Sequence, residues 1–249
     1  TPTVADPSAT VKVNGLTVAS GSQSQNISLS VGSNIILVVV TAQNGTIQTY
    51  TIDVVRAIGS DPNLSDIFLN SGTLNPAFAQ NTINYTASVS NATTSLLVAP
   101  FAVEATASIT VNSVATPSGS FSQSIPLNVG ANTITIVVTA QNGATKTYTV
   151  IVTRAADSNN DLSNLTVSTG SLTPSFDAGT LSYAVSVQVS TSSIIVTPTA
   201  SSATSTITVN GNAVTSGSAS GSIALSIGSN VITVVVTAQN GVTKTYTVN

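Results

Sequence analysis

The chain repeats itself every 98 residues without an insertion or deletion, and this period limits its fold more than any other feature. Asn-Gly pairs keep the step at Asn44, Asn142 and Asn240. Residues 129–150 match residues 227–248 at 17 of 22 positions. Solenoid units of about 20 to 50 residues share one continuous core, whereas a length near one hundred matches a whole small domain. The sequence therefore predicts a string of near-copies of one domain.

The register of the repeat predicts where each copy begins and ends. Thr1-Pro2-Thr3 aligns with Thr197-Pro198-Thr199, so the first copy opens in mid-repeat. This register favours a window cut from a longer array, or a processed subunit. The predicted domains are the C-terminal part of a β-sandwich repeat in residues 1–57, a complete repeat in 58–156 and a nearly complete one in 157–249. Their linkers, 57–63 and 155–161, are too short for independent tumbling, so we expect a semi-extended array with restricted bending.

Short alternating segments rich in β-branched residues dominate each copy. In Thr82–Val89 of the middle copy, apolar and polar residues alternate, which places one face on a core and the other in water. Asn142-Gly143 predicts a hairpin with a type I′ turn, in which both residues have positive φ. No apolar stripe of helical period persists. The seven predicted strands of the middle copy are 64–70, 82–89, 95–99, 107–112, 123–127, 133–140 and 145–154. The fold class predicted is all-β, with tandem antiparallel β-sandwiches.

Composition removes several classes of function. Charged residues make up 5% of the chain, five basic against eight acidic, and no basic cluster exists. Binding to nucleic acid or to an anionic membrane is therefore not expected. Cys, Met, Trp and His are all missing, which removes disulfides, the usual metal ligands and the usual catalytic base. The longest aliphatic run, Ile35–Val40, is far short of a membrane span, so no membrane insertion is expected in this segment.

The spacing of several short motifs resembles that of the bacterial cadherin-like β-sandwich repeat. In the third copy they are Leu-Ser-x-Leu from Leu162, Gly-x-Leu-x-Pro-x-Phe from Gly170, Tyr183, Val-Asn-Gly from Val209, and Gly-x-Asn from Gly228. The resemblance covers the whole chain and implies that the predicted sandwiches are Ig-like or cadherin-like. It implies modules in tandem within secreted or cell-surface proteins, often beside adhesive, carbohydrate-binding or enzymatic domains. Two departures, Asn112-Ser113 for Asn-Gly and Ile47-Gln48 for Thr-Lys, are expected to alter turns and surface without touching the core.

Proline and phenylalanine mark one connection in each complete copy. Pro76 and Pro174 cannot continue a central strand. The segments that contain them are therefore predicted to be connections, with Phe78 or Phe176 packed against the edge of the core.

Two kinds of stabilising cross-link are candidates in this sequence, a calcium site at a linker and an isopeptide bond. Asp157, Asn159 and Asp161 form an Asp-x-Asn-x-Asp run, but calcium needs about 6 to 8 oxygen ligands and the partner motifs of a cadherin joint are missing. A solvated linker is favoured, and calcium stays an open alternative. An isopeptide bond from Lys146 or Lys244 would need a buried carboxylate, and no acid recurs at a fixed core position. Lys146 follows a tight turn and is predicted to be a solvated charge that protects a sheet edge.

No catalytic, cofactor-binding or metal-binding residue is predicted. Without His, the many Ser and Thr hydroxyls have no evident base, and the acids are scattered. The tyrosines share the parity of neighbouring Val and Ile, so they are predicted to be core rings rather than a sugar-stacking platform. These tyrosines are Tyr50, Tyr85, Tyr148, Tyr183 and Tyr246.

The sequence leaves three functional hypotheses. The first is a non-enzymatic stalk in an extracellular or cell-surface protein, whose partners would be flanking domains. The second is the building block of a surface filament, in which copies of the chain cover the open edges of residues 1–56 by strand addition. The third is an adhesin or carbohydrate-binding module that recognises surface glycans. A structural surface role is favoured, and stalk against filament stays open.

Overall fold

All residues, 1–249, are described by a computed structural model in which every regular element is a β-strand. Alternating β-branched sequence forms these strands because branched side chains pack well on a pleated surface. The prediction of an all-β chain of tandem β-sandwiches is confirmed. The first copy forms one four-stranded antiparallel sheet in the order β2-β1-β3-β4. Its strands are β1 (Thr10–Val13), β2 (Leu16–Val18), β3 (Gly32–Thr41) and β4 (Ile47–Arg56).

The middle copy is a two-layered sandwich. A five-stranded sheet in the order β10-β9-β12-β13-β6 forms one layer, and the pairs β5–β8 and β7–β11 form the other. Strand β6 runs parallel to β13, and the remaining pairs are antiparallel. The strands are β5 (Leu64–Leu69), β6 (Asn84–Val89), β7 (Ser95–Leu96), β8 (Val98–Ala102), β9 (Ser108–Val111), β10 (Val114–Ala115), β11 (Ile125–Pro126), β12 (Gly130–Thr139) and β13 (Thr145–Arg154).

The third copy repeats this arrangement. Its five-stranded sheet has the order β15-β22-β21-β18-β19, opposite the pairs β14–β17 and β16–β20. Here the parallel pair is β15 with β22. The strands are β14 (Leu162–Val167), β15 (Ser182–Tyr183), β16 (Ser193–Ile194), β17 (Val196–Ala200), β18 (Thr206–Val209), β19 (Asn212–Val214), β20 (Ile223–Ala224), β21 (Ile232–Thr237) and β22 (Thr243–Val248).

Each complete copy closes its own apolar core. The middle core contains 17 buried residues between Leu64 and Val152, and the third contains 12 between Leu162 and Val248. No residue belongs to both. The first copy, which has one layer only, buries just three apolar side chains, Val11, Val13 and Val18.

Nine strands form in each complete copy, where the sequence predicts about seven. The predicted strand at 95–99 is divided at Leu97, whose backbone pairs with Asn70, so β7 joins β11 while β8 joins β5. A further short strand, β10, returns alongside β9 after a two-residue turn. Both differences are local and leave the predicted two-layered architecture unchanged.

The two-residue turns differ from the prediction. At Asn142-Gly143 only Gly143 has positive φ, and the Asn142 side chain accepts a hydrogen bond from the Ala144 N–H, so the predicted type I′ turn is wrong. Both central residues have positive φ instead at Asn14-Gly15, Asn112-Ser113 and Asn210-Gly211. Ser113, at φ 67°, keeps the backbone of its glycine counterparts, so this departure does not alter the turn.

Replacing Ser113 with glycine should stabilise the middle copy. A left-handed residue other than glycine costs about 1–2 kcal/mol, partly offset by the greater backbone entropy that glycine loses on folding. We expect Ser113→Gly to raise the free energy of unfolding by about 1 kcal/mol in urea titrations. The reciprocal Gly211→Ser should destabilise the third copy by a similar amount. An unchanged midpoint for both variants would show that the turn carries no backbone strain.

Candidate functional site: the joints and the open face

Each linker is attached to the repeat that follows it. Gly59 donates its N–H to the Gln141 Oε1 atom at 3.2 Å and accepts the Asn142 N–H at 2.9 Å. Asp157 makes the same two contacts with Gln239 and Asn240, both at 3.0 Å. The Gln-Asn-Gly turn of each complete repeat is therefore the receptor for its own incoming linker.

Very little chain remains free at the second joint. Ala155 donates its N–H to the Val89 carbonyl at 3.0 Å, which ties it to the middle copy. Asp157 is already bound to the third copy. Ala156 alone lies between these two anchored residues. In the seven-residue linker, Ala156 is thus the single residue between the last one bound to the middle copy and the first one bound to the third copy.

A lysine and a tyrosine of the last strand fasten the start of each complete repeat. The Lys146 Nζ atom donates to Asn63 Oδ1 at 2.6 Å and to the Gln80 carbonyl at 3.0 Å. Two residues on, the Tyr148 hydroxyl accepts the Leu64 N–H at 3.0 Å. These contacts link the first strand, the last strand and the Pro-containing connection of one repeat.

The third copy builds the same contacts with an ion pair. Lys244 Nζ lies 2.7 Å from Asp161 Oδ1 and 3.0 Å from the Ala178 carbonyl, and the Tyr246 hydroxyl accepts the Leu162 N–H at 3.0 Å. The prediction that Lys146 is a solvated edge charge is wrong, because its ammonium group, like that of Lys244, is bound within its repeat. Gln48 replaces this lysine in the first copy.

The acidic run of the second linker does not fit a calcium site. The Asp157 carboxylate accepts hydrogen bonds from the Ser202 and Thr204 hydroxyls, and Asn159 Oδ1 accepts the Asp161 N–H at 2.9 Å. The Asp161 carboxylate faces the Lys244 ammonium. Calcium needs several oxygens converging on one point. No three acidic side chains in residues 1–249 come close enough to hold a metal ion together.

An isopeptide bond also lacks its chemical setting. Lys146 approaches the Asn63 side chain closely, but no carboxylate hydrogen-bonds to either side chain. The corresponding pair, Lys244 and Asp161, is partly exposed to solvent. Hydrogen bonding to Asp161 raises the pKa of Lys244 above 10.5, which favours the charged form over the nucleophilic amine.

The second joint should loosen in acid. Hydrogen bonds from the Ser202 hydroxyl and then the Asn159 N–H lower the pKa of Asp157 below its ordinary 3.8. The charged Asp157 carboxylate therefore stabilises the second joint at pH values above 3.8. This stabilisation is lost as the pH falls through the lower pKa that Asp157 has in the folded protein. We expect stronger hydrogen-exchange protection at the Asn240 amide in the wild type than in Asp157→Asn at about pH 6, and a difference that shrinks as the pH falls below 3.8. A difference that persists unchanged in acid would contradict this account.

Four tyrosines are core residues, as predicted, and one is not. Tyr85, Tyr148, Tyr183 and Tyr246 are at most 1% exposed. Their hydroxyls bind backbone groups, as in Tyr85, which donates to the Ala79 carbonyl at 2.9 Å. Rings buried in this way cannot stack on a sugar. Tyr50 is 56% exposed, so the prediction of a core ring is wrong for this residue.

The Pro-containing connections lie where the sequence predicts them. Phe78 packs against the middle core and stacks on Tyr85 with ring centroids 5.9 Å apart. Phe176 does the same with Tyr183 in the third copy at 6.1 Å. These rings close the end of each sandwich at which the linker enters.

Tyr50 belongs to an apolar sheet surface that is only partly covered, which we call the open face. It consists of the inward-facing residues of β1, β3 and β4. Ile52 is 49% exposed there, whereas its counterparts Val150 and Val248 are buried. The open face exists because residues 1–57 contain no counterparts of β5 and β7, while residues 1–4 and 27–28, which correspond to β8 and β11 of the second layer, form no strand. Its residues are Val11, Val13, Ile36, Val38, Val40, Tyr50 and Ile52; of these, Val11 and Val13 are buried, and the exposed part is formed by Tyr50 and Ile52.

The structure contains no helix with the length and apolar character needed to cross a membrane.

Comparison with known proteins identifies the family. The sequence model of one protein family, described as the cadherin-like beta sandwich domain, matches residues 1–57, 64–155 and 162–249. A protein of Evansella cellulosilytica named "Putative membrane protein" is 42% identical over 95 residues, which are 38% of this chain and 14% of that protein. The chain thus spans about a seventh of that relative.

Solved cadherin structures can be superposed on the chain with low scores. PcdhgB3 EC1-4 covers 99% of this chain and 65% of its own, at 10% identity and a TM-score of 0.32. The superposition with mouse cadherin-23 EC22-24 covers 97% of this chain and 84% of the cadherin chain, at 12% identity and a TM-score of 0.29. Both scores lie below 0.5, so the assignment rests on the family match across three segments. The chain belongs to the family of cadherin-like β-sandwich domains.

Proposed function

We propose that the chain is a non-enzymatic structural array of an extracellular or cell-surface protein, in which successive sandwiches act as a semi-rigid stalk. Its domains correspond to residues 1–57, 58–156 and 157–249. The observation that carries the proposal is the attachment of each linker to the following repeat, which leaves Ala156 alone between anchored residues. Because each complete repeat has its own core, such an array could set a distance without sharing a core between neighbours.

The bending freedom of the second joint tests this function. The chain has no natural cysteine, so spin labels at Thr147→Cys and Thr245→Cys, both exposed, would report the distance between the middle and third copies. We expect a narrow distance distribution by electron–electron double resonance. Gln239→Ala removes one linker contact and should broaden it, while Gln43→Ala, whose side chain binds no linker, should not. A broad distribution already present in the unsubstituted pair would refute the stalk.

The carbohydrate-binding alternative has weaker support, because four of the five tyrosines are buried. The filament alternative is supported by the open face of the first copy. Light scattering separates filament from stalk, since high-order polymers are expected only of the filament subunit and an elongated monomer is expected of the stalk.

A further inference from the structure

The first copy retains, without partners, the groups that receive the incoming segment in the other two copies. The segment in question is residues 157–196 of the third copy and its counterpart 59–98 of the middle copy. In both complete copies this segment contributes the linker, the first strand, the parallel strand and the start of the second layer. The first copy has no residues equivalent to it, yet the surfaces that bind it are present.

The turn that anchors the linker is one of these surfaces. Gln43 and Asn44 correspond to Gln141-Asn142 and Gln239-Asn240. In the first copy neither Gln43 Oε1 nor the Asn44 N–H makes a hydrogen bond. The Asn44 side chain still accepts the Thr46 N–H at 3.1 Å, so the turn keeps its shape.

The strand edge beside the open face is a second surface. In the middle copy β6 pairs in parallel with β13 from Thr149 to Arg154. The equivalent stretch of β4, Thr51–Arg56, pairs only with β3 on its other side. A long strand edge with unpaired N–H and C=O groups is a template for strand addition.

The apolar groove over the open face is the third surface. It has a volume of about 670 Å³ and is lined mainly by apolar side chains. The Tyr50 hydroxyl has no partner, whereas those of Tyr148 and Tyr246 accept the first amide of the incoming strand. One segment would therefore satisfy the turn, the hydroxyl, the strand edge and the apolar face together.

We propose that the open face of the first copy binds a polypeptide segment of the repeat's own type, with the pattern of residues 157–196, by parallel strand addition to β4. The bound register follows from the other copies, with the residue equivalent to Tyr183 opposite Ile52. The inward positions of the segment are those of Leu162, Leu165, Tyr183, Ile194 and Val196, all buried in the third copy. A sugar or a lipid would leave the turn and the strand edge unpaired.

Tyrosine nitration by tetranitromethane tests the proposal, because Tyr50 is the single exposed tyrosine. In the full chain we expect peptide mapping to find nitration at Tyr50 and protection at the other four. Addition of a synthetic peptide of residues 157–196 should slow nitration of Tyr50 by at least about tenfold. The same peptide with Leu165→Asp and Tyr183→Asp should not protect it, while a peptide with the exposed Thr166→Asp should.

A fusion protein, in which the segment is joined covalently to the chain, makes the test independent of peptide solubility. Joining residues 157–196 directly to Thr1 keeps the repeat register, because Thr197-Pro198-Thr199 recurs as Thr1-Pro2-Thr3. Protection of Tyr50 in either format, abolished by the two aspartates, supports the proposal. It is overturned if neither format protects Tyr50, or if the chain alone protects Tyr50 within a dimer that the segment does not displace.

Discussion

Replacing Tyr148 with alanine is expected to lower the free energy of unfolding of the middle repeat by about 4 kcal/mol. The ring is fully buried among residues of both layers, and its hydroxyl accepts the Leu64 N–H that begins the first strand. Removing it leaves a cavity and a backbone amide without its partner. Urea unfolding followed by peptide-resolved hydrogen exchange would measure the loss and assign it to residues 64–154.

The same substitution in the other copies provides matched controls. Tyr246→Ala should destabilise the third repeat as strongly, since its ring and hydroxyl make equivalent contacts. Tyr50→Ala should cost less than about 1 kcal/mol, because this ring is already exposed. Equal losses for Tyr50→Ala and Tyr148→Ala would contradict the description of the first copy as a single open layer.

Replacing Asn132 with aspartate is expected to cost the middle repeat about 3 kcal/mol. The Asn132 amide donates to the carbonyls of Asn128, Gly130 and Val152, at 2.8, 2.9 and 3.2 Å, while its Oδ1 atom accepts the Asn128 N–H. Aspartate keeps the acceptor but turns the donor into a charged oxygen that faces three carbonyls. Denaturant titration at neutral pH would measure the loss.

Asn128→Asp provides the charge-matched control for this substitution. Its side chain makes no hydrogen bond and lies exposed four residues away. We expect a change within about 0.5 kcal/mol for this variant. If the two aspartates were equally costly, the effect would come from added negative charge and not from the lost amide donors.

Much of the fold can be predicted from the sequence, because the local residue patterns within each copy agree with the 98-residue repeat of the whole chain. The 98-residue step separates the copies, and alternation places Tyr85 and Tyr148 in the core. Asn132 lies in the repeated Gly-x-Asn motif, whose invariance across copies is now explained by the hydrogen bonds of its amide. Pro76 and Phe78 mark a connection for reasons of backbone chemistry that hold in any fold.

The joints could not be predicted in the same way, because their contacts join residues far apart in sequence. Gln141 contacts Gly59 across 82 positions and Lys146 contacts Asn63 across 83. The repetition of glutamine at 43, 141 and 239 was a usable signal, since the turn itself needs only Asn-Gly. Tyr50 has the same local pattern as Tyr148, so parity alone could not reveal that no second sheet layer forms over it within residues 1–57.

The most direct test of the central claim compares the third repeat alone with the same residues in the whole chain. Each complete repeat closes its own core, and the joint connects the repeats without completing either core. Residues 156–249 expressed alone should therefore unfold in urea in one cooperative transition, with a free energy within about 1 kcal/mol of that measured for this repeat by hydrogen exchange in the full chain. An unfolded fragment, or one that gains its stability only when the middle repeat is attached, would contradict it.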